Sequence, residues 1–146
     1  MSEEEIQRKY LELQLIEKQI KQIQQQMQIM EQQLFELTSL SNSVEEITKV
    51  KPKTEILVPL GAGVYAKAEL KDNKDFIMNV GADITTTKSA KESISIIENQ
   101  IAQLKALLEQ FSTELENAAM AGHKLQGELQ EAINSSKDHG GHPRIT

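Results

Sequence analysis

The sequence is conspicuous first for what it lacks. It has no cysteine and no tryptophan, and aromatic residues make up 3% of it. Without cysteine there are no disulfide staples and no thiolate-ligated metal, an absence that suits a reducing compartment. Large aromatic side chains supply much of an ordinary core, so 146 residues this poor in them do not compose one large globule. No apolar run approaches the ~18 residues of a membrane span. The acidic, polar start MSEEEIQRKY is not a secretory signal. No basic stripe is present and the net charge is −6, whereas phosphate contacts require clustered Lys and Arg. These features predict a cytoplasmic protein with neither a membrane nor a nucleic acid as partner.

What is present is long helix. Ile6, Leu13, Ile16, Ile20, Ile23, Met27, Met30, Leu34 and Leu37 follow alternating steps of three and four, an a/d heptad seam broken only by Lys9. A second seam runs through Ile94, Ile97, Ile101, Leu104, Leu108, Phe111, Leu115, Ala118, Leu125, Leu129 and Ala132, with Gly122 at one seam position. Thr87 or Ser89 is placed to cap it. Between the seams the period falls to two. Ile56, Val58 and Leu60 alternate, as do Val64, Ala66, Ala68 and Leu70, then Phe76, Met78 and Val80, with Ile84 opening a fourth strand. The stretches LGAGV, KDNKD and NVGAD carry the residues that hairpin turns need.

The expected class is α+β, a long antiparallel coiled-coil hairpin with two central β-hairpins. Residues 1–50 form the first helix, 51–87 the β-region, 88–135 the second helix and 136–146 a disordered tail. Parallel pairing with another chain also fits the heptads; a compact insert that returns the chain near its start favours the antiparallel form. About 40 helical residues would reach roughly 60 Å.

Two candidate surfaces follow. A few short strands cannot hide an apolar face alone, so Ile56, Val58, Leu60, Val64, Ala66, Ala68, Leu70, Phe76, Met78, Val80 and Ile84 are expected to join neighbouring subunits in a shared sheet or barrel. A β-cap that merely joins the helices is the plainer alternative. At the other end of the rods, Tyr10, Leu11 and Leu15 fall at e, f and c, outside the seam. With Ile6, Leu13, Leu125, Leu129 and Ile133 they form an expected apolar capture surface for unfolded chains. Lys9 in the seam and two helical glycines, Gly122 and Gly127, predict loose packing there. The acidic runs SEEE and ELENAAM, with Glu128 and Glu131, gather at this same tip, which could also dock on a basic surface.

Enzyme chemistry has no support. The Gly-x-Gly of LGAGV lies between strands rather than opening a helix. Asp72, Asp75 and Asp83 sit where turns use Asp. His123, His139 and His142 do not make a metal set, and no cofactor is expected. A structural tether, or oligomeric scaffold without chaperone activity, is the rival function.

Helix, then VPLGAGVYAKAEL and VGADI, then helix together resemble the archaeal alpha-type subunits of the prefoldin family. The match spans roughly residues 6–133, and the hairpin motifs carry most of its specificity. The resemblance implies a heterohexamer of two alpha and four beta subunits with a double β-barrel body and six hanging coiled coils. It implies an ATP-independent chaperone that captures non-native polypeptides at the coil ends and passes them to a group II chaperonin.

Overall fold

A computed structural model describes residues 2–140. The element order is α1 (Glu3–Thr48), β1 (Glu55–Gly61), β2 (Val64–Glu69), β3 (Asp75–Gly81), β4 (Ile84–Ser89) and α2 (Ala90–Gly140). Both helices begin on the same device. The Ser2 hydroxyl accepts the Glu5 N–H at 3.2 Å, and the Ser89 hydroxyl accepts the Glu92 N–H at 3.1 Å. Each satisfies an orphan donor of the first turn, and the acidic residues that follow complement the helix dipole. The Glu3–Glu5 run thus has a local role at a helix start.

The chain divides into two compact units. The coil unit comprises the described parts of residues 1–31 and 106–146. Here α1 and α2 run antiparallel, with Lys9 of one meeting Glu128 of the other. Every third or fourth residue from Ile6 to Met30 is at least half-buried, in step with Leu108, Phe111, Leu115, Ala118, Gly122, Leu125, Leu129 and Ala132. Side chains turned toward a partner helix every 3.5 residues are those that leave water, and the pattern predicted from sequence is the pattern observed.

The hairpin unit, residues 32–105, holds the remainder of both helices and all four strands. The α1 seam continues past Leu37 through Ser41, Val44 and Ile47, a stretch in which the sequence pattern fades because a serine occupies one core position. Helix α1 ends under a side-chain clamp: the Asn73 amide donates to the Thr48 and Val50 carbonyls, at 3.3 and 2.9 Å. Those are carbonyls a helix end leaves unpaired.

The strands form two separate two-stranded antiparallel sheets, β1 with β2 and β3 with β4. KDNKD was expected to make a hairpin turn, but β2 and β3 do not pair. The segment is a linker in which the Asp72 carboxylate accepts the Lys74 N–H at 2.7 Å while Asn73 caps α1. The two hairpins repeat each other. Gly61-Ala62-Gly63 and Gly81-Ala82-Asp83 both have positive φ throughout, and both registers shift just before the turn. Gly61 at φ 120° and Gly81 at φ 121° lie where only glycine is comfortable.

Helix α2 extends to Gly140, beyond the boundary expected at residue 135. The expectation of a disordered tail falls for residues 141–146 outside the described residues.

One packing defect is visible in the hairpin unit. Among the described residues Ser93 is the most buried polar one, at 1% exposure, and its hydroxyl has no hydrogen-bond partner there. A buried hydroxyl without a partner costs on the order of 1–3 kcal/mol. Ser93→Ala is therefore expected to stabilise the fold by about 1 kcal/mol, read as a rise in the thermal midpoint of helical circular dichroism.

Candidate functional site

In the coil unit the expected capture residues separate into two groups. Leu13, Leu125 and Leu129 are buried against one another, with Ile6 and Ile16 packed beside them. They are seam residues that satisfy the partner helix. Tyr10, Leu11, Leu15 and Ile133 are exposed by 56, 61, 67 and 42%, so only these four offer apolar surface directly. Tyr10 and Ile133 flank a groove of about 480 Å³ floored by Leu13, Leu129 and Gly127 and edged by His123. Leu11 and Leu15, one helical turn apart, present a second apolar spot.

Loose packing was expected here, and the geometry corrects it. Lys9 Nζ donates to Glu128 Oε2 at 2.6 Å across the helix pair, with side chains 29 and 35% exposed. The polar break at position 9 of the α1 seam is thus bridged rather than empty. Gly122 is buried, and a Cβ there would come within 3.3 Å of Ile16 Cγ2. The glycine lets two large side chains of α1 approach α2 closely, which offsets its low helix propensity. Gly127 has open space around the missing side chain, which leaves room in the groove beside Tyr10.

The hairpin unit carries the second surface. Ile56, Ala66, Ala68, Leu70, Phe76 and Met78 are half-buried, whereas Val58, Leu60, Val64, Val80 and Ile84 remain exposed by 40, 67, 57, 57 and 62%. The expected alternation is there, but half of the face has nothing over it. The sequence reading also missed the opposite face, where Leu57, Tyr65 and Ile77 are exposed by 61, 57 and 78%. The signal was the run Ile56-Leu57-Val58-Pro59-Leu60, which is continuous rather than alternating, as in strands covered on both sides. Exposed apolar residues outside both predicted surfaces include Ile29, Phe35, Leu40, Leu107 and Met120.

No group of three or more metal-ligating side chains occurs among the described residues, and no described helix is long and apolar enough to cross a membrane.

The prefoldin subunit family model matches residues 16–135, which takes in the α1 seam from Ile16 onward, both hairpins and the α2 seam. The chain belongs to the prefoldin family. It is similar to the prefoldin subunit alpha of Methanococcus vannielii, 27% identical over 127 residues that cover 87% of this chain and 85% of the relative. That of Archaeoglobus fulgidus is 23% identical over 128 residues, covering 88% and 93%. A cryo-EM structure of filamentous PFD from Methanocaldococcus jannaschii shares the fold, with a TM-score of 0.71, 15% identity, and coverage of 79% of this chain and 95% of that one. The chain is a prefoldin-type chaperone subunit, and its family works as oligomeric complexes of such subunits.

The ion pair gives the prefoldin coil a pH signature. The hydrogen bond from Lys9 holds the Glu128 carboxyl below its ordinary range, and the same bond raises Lys9. A lowered carboxylate contributes stability above its unfolded pKa and loses it as pH falls through the folded value; a raised lysine contributes below its unfolded pKa and loses it as pH rises through the folded one. The pair's contribution should be flat between about pH 5 and 9 and fall off outside those limits. Thermal unfolding of the natural chain against Glu128→Gln, followed across pH, should show a difference that is constant in that window and shrinks as acid carries the pH down through the lowered range of the folded carboxyl.

Proposed function

We propose that the chain is the alpha-type subunit of a cytoplasmic prefoldin that captures non-native polypeptides without ATP or catalysis. It assembles with beta-type subunits, two alpha to four beta, and delivers clients to a group II chaperonin. The capture surface is the coiled-coil end formed by the start of α1 and the end of α2. The observation that carries this reading is the set of four exposed apolar side chains there, Tyr10, Leu11, Leu15 and Ile133, scattered on a surface otherwise rich in Glu and Gln. Apolar contact is non-directional, so separate spots on a polar background can hold unrelated sequences while the free chaperone stays dispersed. The hairpin residues from Ile56 to Ile84 complete their sheets with strands of the other subunits. Two hairpins with uncovered faces are what such a shared barrel requires.

Fully burying one such side chain is worth about 1.5–3 kcal/mol. Replacing Tyr10, Leu11, Leu15 and Ile133 together by serine is therefore expected to abolish most suppression of light scattering when a denatured, unrelated protein is diluted into the assembled complex. Assembly should be unchanged by native mass spectrometry. Undiminished suppression would move capture to the hairpins or the inner coil. No suppression by either complex would leave a structural tether.

A further inference from the structure

Three features meet in the coil unit. The buried cluster Leu13, Leu125 and Leu129 is apolar surface of the kind that capture needs, yet it is closed. Beside it, Lys9 and Glu128 form the one ion pair between the two helices among the described residues. Past that pair Ile6 and Ala132 continue the seam, each half-buried like most of its positions. A shallow groove there is lined by Glu3, Ile6, Lys9, Glu128, Glu131 and Ala132.

We propose that the Lys9–Glu128 bridge is a latch that gates a second, interior capture surface. With the bridge closed, clients meet only the exposed side chains. When it opens, the ends of α1 and α2 part and Leu13, Leu125 and Leu129 become available. This rests on the capture reading above and adds its regulation.

The charges around the bridge make it asymmetric. Glu5 and Glu12 also act on Lys9, Lys124 acts on Glu128, and Glu3 and Glu131 line the adjoining groove. Lysine at position 9 is the cation that this acidic neighbourhood converges on, so reversing its charge should repel the helices rather than merely release them. A pair this exposed is weak on its own. A latch that clients must displace has to be weak, since a deeply buried pair would hold the cluster shut.

The test uses the assembled complex with three variants, Lys9→Glu, Glu128→Lys and the double exchange, plus the milder Lys9→Gln. Amide hydrogen exchange reads opening at residues 11–16 and 122–130 independently of any client. Lys9→Glu should speed that exchange by about threefold to tenfold, with Glu128→Lys and Lys9→Gln showing smaller increases. Both reversals should suppress aggregation at lower chaperone concentration, and the double exchange should return both measures toward those of the natural complex. Unchanged exchange in the single variants would overturn the latch. Faster exchange with unchanged suppression would overturn the gated surface while leaving capture by the exposed side chains intact. Were a reversal to unfold the helices, Lys9→Gln and the double exchange would still decide: equal exchange in Lys9→Gln and the natural complex overturns the proposal.

Discussion

Everything in this chain depends on a shortage of cover. Each β-hairpin is two strands and no more, and an isolated pair of strands is marginal in water. Yet the hairpins expose Leu57, Leu60, Tyr65, Ile77 and Ile84 by more than half of each residue's surface. Such a surface, with unpaired strand edges beside it, cannot remain in water without inviting association. On the reading proposed above, strands of other subunits would remove the edges and the exposed faces together, and the glycine-rich turns and matched register shifts would serve that pairing. They give the two hairpins the same form.

The coil obeys the opposite economy. Nearly every apolar residue at a seam position of α1 and α2 finds its partner within the chain, and even the polar intruder Lys9 finds Glu128. What remains outside the seam is a few apolar side chains on a field of Gln, Glu and Lys. Function then divides by packing: residues that the helices satisfy mutually hold the coil, and those left over are free to touch something else. The latch sits on the border between these classes, where a modest charge interaction separates buried leucines from water.

The helices were the most legible part of the sequence because a 3.5-residue period is a one-dimensional signal. Ile6 through Leu37 and Ile94 through Ala132 could be placed on the seam without knowing what they touched. The start of α2 was narrowed to a cap at Thr87 or Ser89, and it is Ser89 that accepts the Glu92 N–H. What the sequence hid were contacts between distant residues. Lys9 reads as a defect until Glu128, 119 positions away, is set opposite it. Gly122 reads as a weakness until Ile16 fills the space it leaves, and Asn73 reads as a turn residue until the end of α1 is beside it. Within the capture set, Leu13 and Leu15 are alike in type, and the period alone places Leu13 against the partner helix and leaves Leu15 outside, as observed.

The claim that the hairpins are completed by other subunits is tested most directly by hydrogen exchange of the strand amides. The isolated chain, diluted until it sediments as a monomer, would be compared with the chain in its assembled complex. The account predicts that Leu57, Ala66, Ile77 and Thr86 exchange rapidly in the monomer and become protected on assembly, while Ile16 and Leu125 are protected in both. Strand amides equally protected in the dilute monomer would contradict it, because the hairpins would then be stable without any partner.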